Sequence, residues 1–136
     1  MREFLFRGKR IGNGEWIYGY YVHQYGSYQI YVADTNIGEF EFDQIHIDPE
    51  TAGQFTGLTD KNGKKIFEGD IVKTDSKDTF MVYGKPYVVE FDDEYECGFV
   101  MRWKKVEHLF GDIWNKSEIL EIIGNIHDNP ELLEVR

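Results

Sequence analysis

Asp48-Pro49-Glu50-Thr51-Ala52-Gly53-Gln54-Phe55-Thr56-Gly57-Leu58-Thr59-Asp60-Lys61-Asn62-Gly63-Lys64-Lys65-Ile66-Phe67-Glu68-Gly69-Asp70-Ile71-Val72 sets turn chemistry and strand chemistry in one fixed order. Asp60-Lys61-Asn62-Gly63 can supply the positive backbone angles of a tight reverse turn. Ile66, Phe67, Ile71 and Val72 are strand formers on either side of Glu68-Gly69-Asp70. The stretch specifies a fold far better than it specifies a reaction, because no catalytic or metal signature accompanies it.

Working outward, the same alternation of turn and strand continues on both sides. Upstream, Gly12-Asn13-Gly14 separates residues 3–11 from residues 15–22, two arms of a hairpin. In the second arm Trp16, Tyr18 and Tyr20 fall on one face of a strand, and Gly19 marks a bulge or a close backbone approach. Further strands are predicted over 28–32 and 40–47, so that four strands precede Asp48. Downstream, short strands are predicted over 79–83, 87–91 and 99–103, the last two joined across Asp92-Asp93-Glu94-Tyr95-Glu96. Residues 106–113 have helical spacing broken by Gly111, and the expectation there is a loop or one irregular turn. A final strand over 118–126 is interrupted at Gly124, and Asp128-Asn129-Pro130-Glu131 opens a short helix with a capping side chain. The predicted class is all-β to β-rich α+β, in short antiparallel strands. One domain over 1–136 accommodates it, with an N-terminal β lobe at 1–47 and a barrel lobe at 48–128.

Composition agrees with strands and narrows the partners. The chain of 136 residues carries 10 Phe, 9 Tyr and 14 Gly, a mixture suited to twisted strands and tight turns. Its formal net charge is −10, and 13 acids against 6 bases fall after residue 77. Such a surface repels nucleic acid unless a local basic patch dominates. A basic partner protein, or mimicry of nucleic acid toward a DNA-binding protein, suits the sign, as does solubility alone. The single cysteine, Cys97, excludes an intrachain disulfide and any multi-thiolate metal site, which points to a reducing cytoplasm. No signal-peptide core and no membrane-spanning apolar run is present.

Four blocks of this chain resemble the YopX family of small proteins carried by bacteriophages and prophages, chiefly in Gram-positive bacteria. They are Arg2-Glu3 through Phe6-Arg7-Gly8-Lys9-Arg10; Gly14-Glu15-Trp16-Ile17-Tyr18-Gly19; the segment 53–72 quoted above; and Ile123-Gly124-Asn125-Ile126-His127-Asp128-Asn129-Pro130-Glu131-Leu132-Leu133. The resemblance implies a β-rich fold with an SH3-like barrel element and a mobile-element origin. It implies no established activity, and no catalytic residues are carried over with it. Residues 74–98 are where the chain is expected to depart from its relatives.

Several groups invite a chemical reading, and each has a plainer one. Glu68, Gly69 and Asp70 could place two carboxylates on a metal, yet the tripeptide suits a structural turn in which Gly69 frees the backbone and Asp70 bonds nearby amides. The acidic run 92–96 reads as a solvated hairpin tip, and Cys97 as a small buried thiol. His23, His46, His108 and His127 lack any local metal-ligand spacing. The remaining candidate combines bases with aromatics: Arg7, Lys9 and Arg10 beside Trp16, Tyr18 and Tyr20, together with Lys61, Lys64 and Lys65. On one barrel face these would make a stacking platform with phosphate contacts. The plainer and preferred expectation buries the aromatics in the core and leaves the bases on turns. Arg102-Trp103-Lys104-Lys105 is a weaker version of the same pattern.

The expected function is therefore a non-catalytic protein-interaction module without a cofactor, meeting a host or phage protein, with homo-oligomers as a further form. Single-stranded nucleic-acid binding through the basic-aromatic face is the alternative. An enzyme whose site is assembled by folding from distant residues is the third.

Overall fold

The computed structural model describes residues 5–33, 42–77, 81–94, 98–109 and 119–134. Among the described residues ten strands follow one another: β1 (Phe6–Arg10), β2 (Trp16–Gln24), β3 (Ser27–Ala33), β4 (Phe42–Thr59), β5 (Lys65–Phe67), β6 (Asp70–Thr74), β7 (Tyr87–Asp92), β8 (Gly98–Trp103), β9 (Val106–Leu109) and β10 (Leu120–Asn125). The pairs β1–β2, β1–β4, β2–β3, β3–β4, β6–β7, β6–β10, β7–β8 and β8–β9 are all antiparallel. The protein is all-β. The C-terminal helix expected from the Asn129-Pro130 cap is a single 3-10 turn, Pro130–Leu133, and Asn129 makes no side-chain cap bond to it. Its Oδ1 instead accepts the backbone N–H of Asn125 at 3.2 Å, so the capping side chain faces back toward β10.

The chain divides into two units, residues 1–55 and 56–136, with the division inside β4. In the first unit β1, β2, β3 and β4 pair in order, and β4 returns to pair with β1, closing a circuit. β4 manages this by changing partner: residues 42–46 lie against β3, and residues 47–54 against β1. The fourth strand thus runs through Asp48 and Pro49 to Thr59, well beyond the predicted end at residue 47. Between the pairs Lys9↔Asp48 and Arg7↔Gly53, residues 49–52 bulge out of the ladder. Thr51 fills the gap, since its Oγ1 accepts the Lys9 N–H at 2.8 Å and donates to the Asp48 carbonyl at 2.6 Å. A hydroxyl here replaces the ladder bonds that the bulge removes.

The circuit is narrow, and two glycines make room for it. A Cβ on Gly8 would lie 2.5 Å from Ile47 Cδ1, and one on Gly19 would lie 2.3 Å from the Tyr31 carbonyl oxygen. Gly19 is therefore the close backbone approach anticipated from sequence, in a regular register with Phe6. Ile30 and Ile47 are buried on that inner side. The β2–β3 connection is the two-residue turn Tyr25-Gly26, with φ of +53° and +73°. Both central residues are left-handed, the pattern that Asn-Gly satisfies most cheaply.

The second unit carries the sheet β10-β6-β7-β8-β9. One face gathers Ile66, Val72, Met81, Tyr87, Val89, Met101 and Leu120 into a buried cluster. Tyr87 is fully buried, and its hydroxyl accepts the Val82 N–H at 2.9 Å, which satisfies the one polar atom of the ring. Residues 106–109, expected in a loop, form β9, because Met101↔His108 and Trp103↔Val106 continue the inward face of β8 while Glu107 meets Arg102 on the other. The helical spacing over 106–113 extends into residues outside the described set. Likewise the strand expected over 79–83 is absent at 81–83, which bend and turn, and its first two residues lie outside the described set.

Two turns lock this unit. Asp70, buried, accepts the Phe67 N–H on Oδ2 at 2.7 Å, while Gly69 at φ +93° donates to the Val89 carbonyl and accepts from Ile126 N–H. The tripeptide Glu68-Gly69-Asp70 is thus a structural turn. Asp60, also buried, accepts three backbone N–H groups: Asn62 and Lys64 on Oδ1, both at 2.9 Å, and Ile122 on Oδ2 at 3.1 Å. The Lys61 N–H also donates to the Leu120 carbonyl, so the whole turn is sewn to β10. Gly124 interrupts β10 as a register shift between Ile122 and Gly124.

Asp60→Ala leaves three amides without their acceptor and is expected to destabilise the protein by about 3 kcal/mol or more, read from urea unfolding. Asp60→Asn, which keeps one acceptor oxygen, should cost less. Tyr25→Asn relieves the left-handed tyrosine and is expected to stabilise by about 1 kcal/mol in the same measurement. An unchanged or lowered midpoint would contradict this account of the turn.

Candidate functional site

The hairpin register builds the site. Arg7 pairs with Tyr18 and Lys9 with Trp16 across β1–β2, and Tyr20 pairs with Tyr31 across β2–β3. Directly opposed residues share a face, and alternate residues of one strand do too. Arg7, Lys9, Trp16, Tyr18, Tyr20 and Tyr31 therefore lie together on the side of the hairpin away from Ile30 and Ile47. The expectation that these aromatics fill the core is overturned for two of them: Tyr18 is 47% and Tyr20 59% exposed, while Trp16 is half-buried. Gly19 and Tyr21 take the inner side with Ile30, so alternation turns the even positions of β2 outward.

Trp16 anchors the charged end of this face. The Arg7 guanidinium carbon lies 4.5 Å from the indole centroid and the Lys9 Nζ 5.4 Å from it. Both fall within the range of cation–π attraction, worth about 0.5–2 kcal/mol depending on desolvation. Arg7 is only 6% exposed. Lys9 also faces Asp48 in the β1–β4 register. At the other end the Gln24 amide donates to the Tyr31 hydroxyl at 3.3 Å. Tyr31 is the member that sequence reasoning missed. Folding the chain about Tyr25-Gly26 and counting outward would have set it opposite Tyr20.

The other predicted members lie elsewhere. Arg10 is exposed at the hairpin turn, where its backbone bonds Glu15 and Gly14. Lys61, Lys64 and Lys65 belong to the second unit. Lys61 is held by Asp75 at 2.6 Å and Glu121 at 3.3 Å, and Lys64 and Lys65 are exposed beside the same turn. The lesser pattern at 102–105 is split by strand alternation. Arg102 pairs with Glu90, Asp92 and Glu107, whereas Trp103 packs on Tyr87 from the other face with the Lys85 and Lys104 ammoniums over its ring.

The remaining groups have structural partners. Asp92 accepts the Glu94 N–H at 3.0 Å in the acidic tip, and residues 95–97, Cys97 among them, lie outside the described set. His23 stacks on Tyr28 with centroids 4.0 Å apart, and His46 Nδ1 meets the Ser27 hydroxyl at 3.2 Å. His108 sits beside Tyr87. Among the described residues no group of three or more His, Cys, Asp and Glu is placed to hold a metal ion. No helix among them is long and apolar enough to cross a membrane.

The Lys61–Asp75 pair gives a titration signature. Its hydrogen bond to Asp75, seconded by Glu121, raises the Lys61 ammonium above the usual lysine value, and the same bond holds the Asp75 carboxyl below the usual carboxylate range. The Asp75 share of stability is present above the unfolded carboxylate range and is lost as pH falls through the lowered folded value. The Lys61 share is present below the usual lysine value and is lost as pH rises through the raised one. Both groups are solvated, so the stability effect is small. In a carboxyl NMR titration, Lys61→Met should move the Asp75 midpoint upward. No movement would show that the pair does not persist in solution.

No curated protein matches this chain. Among solved structures it is similar to the crystal structure of protein EF1440 from Enterococcus faecalis, at 24% identity and a TM-score of 0.61, over 98% of this chain and 100% of that one. That likeness concerns the fold. A family model described as YopX protein matches residues 5–134, nearly the whole chain, and the chain belongs to the YopX family.

Proposed function

We propose that this chain is a non-catalytic binding module that meets a protein partner through the outer face of β1, β2 and β3. The observation that carries the reading is the outward exposure of Tyr18 and Tyr20 on neighbouring same-face positions of β2. Tyrosine joins a large apolar ring to a hydrogen-bonding tip at low entropy cost, which is why it is enriched where proteins bind one another. The partner is a host or phage protein in the cytoplasm of a bacterium. The family resemblance and the single cysteine support that setting. The sheet β10-β6-β7-β8-β9, with its short strands and the bulge at Gly124, is the SH3-like element in this reading.

A second reading has one observation in its favour. Arg7 and Lys9 over Trp16 bring cations beside a stackable ring, the combination used to bind single-stranded nucleic acid.

Affinity capture from host lysate tests the first reading. The wild-type chain is expected to retain a discrete protein that a Tyr18→Ala/Tyr20→Ala variant, equally folded by circular dichroism, does not. Identical recovery by both proteins, or by neither, would remove this face as the interaction surface.

A further inference from the structure

We propose that the occupant of the outer face of β1, β2 and β3 is an extended, proline-containing peptide segment with an acidic residue at one end. This rests on the binding-module reading above and specifies its ligand. Residues two apart on a strand are about 6.6 Å apart, so Trp16, Tyr18 and Tyr20 form a ladder of rings, widened at its far end by Tyr31 opposite Tyr20. The ladder has polarity. The Arg7 and Lys9 cations crowd the Trp16 end, and ring exposure rises toward Tyr20. The complementary ligand places a carboxylate near Lys9 and apolar rings over Tyr18 and Tyr20.

The backbone decides what kind of segment can lie there. Hydrogen bonds of a sheet run between strands in its plane, so a ligand seated on the face gains no main-chain ladder. It must keep its own backbone groups in water. A polyproline II segment does so by construction, loses little entropy on binding, and offers ring faces to aromatic side chains.

Charge separates this occupant from nucleic acid. Tight phosphate binding needs several accessible cations, each releasing a counterion. Among the described residues, the Lys and Arg in register on this face are Arg7 and Lys9; Arg7 is 6% exposed, and Lys9 shares its field with Asp48 in a chain of net charge −10. One partly neutralised ammonium suits a single carboxylate, not a run of phosphates.

The test titrates the full chain by calorimetry with three probes: a glutamate pair followed by a run of prolines, the same peptide with lysines in place of the glutamates, and oligothymidylate. Saturable binding of the first is expected, weakened roughly tenfold by Tyr20→Ala and weakened also in the lysine peptide. Tyr18→Ala is the second variant, and both substitutions remove exposed rings, so unchanged thermal unfolding verifies the fold. Absence of saturation at millimolar peptide, or indifference to both tyrosine substitutions, overturns the proposal. Tighter, salt-sensitive binding of oligothymidylate overturns it in favour of nucleic acid. Should the proline peptide fail while lysate capture still depends on Tyr18 and Tyr20, only the ligand chemistry falls and the binding-module reading stands.

Discussion

The Asp60 carboxylate holds together parts of the second unit that the chain itself keeps far apart. Two of its three amide donors, Asn62 and Lys64, lie within its own turn, and the third, Ile122, is 62 positions away on β10. The local bonds fix the turn, and the distant bond then fixes β10 to it, with Lys61 N–H to the Leu120 carbonyl as a second stitch. β10 is the edge of its sheet next to β6, and Leu120 belongs to the buried cluster with Val72, Tyr87 and Met101. Closing a loop of that length is entropically unfavourable, and the Ile122 bond to the buried carboxylate, the Lys61–Leu120 backbone bond and the burial of Leu120 offset it. The second turn repeats the device on a smaller scale: Asp70 holds Phe67, and Gly69 bonds both β7 and Ile126.

In the first unit the governing constraint is steric. The inner face of the four-strand circuit holds the buried Ile30 and Ile47 together with the packed rings of Phe6, Tyr21 and Tyr28. Gly8 and Gly19 face them because no larger residue fits. Strand alternation then turns Trp16, Tyr18 and Tyr20 outward. The exposure of Tyr18 and Tyr20 thus follows from their even positions on β2, while Tyr21 on the same strand faces inward beside Ile30.

Features set by neighbours in the chain were legible in the sequence. The hairpin about Gly12-Asn13-Gly14, the strands at 87–91 and 99–103, the break at Gly124 and the structural role of Glu68-Gly69-Asp70 all follow from local turn chemistry and alternation. Features set by distant partners were not. β4 runs on through Pro49 because β1 pairs with it beyond the point where β3 ends, and Thr51 supplies the bond that the bulge removes. β9 exists because β8 offers it a ladder, although its four residues read equally as a helix fragment. The candidate site split along the same line. Arg7, Lys9, Trp16, Tyr18 and Tyr20 are joined by one hairpin and could be grouped from sequence, whereas Lys61, Lys64 and Lys65 belong to the second unit. Lys61 has carboxylate partners, Asp75 and Glu121, that no local pattern reveals.

Tyr25 bears on why a hairpin face and not a cleft should be the working surface. It occupies a left-handed turn position that disfavours a bulky side chain, and it is fully exposed, so its ring gains nothing from packing in the free protein. Strain retained without a structural return concentrates at functional positions. The turn lies at the end of the same two strands that carry Tyr18, Tyr20 and Tyr31. A ligand lying along the ladder from Trp16 toward Tyr20 is directed at that tip, and a tyrosine there would extend the aromatic surface beyond the sheet. Asparagine would make a better turn, and under the proposed reading it would make a poorer contact.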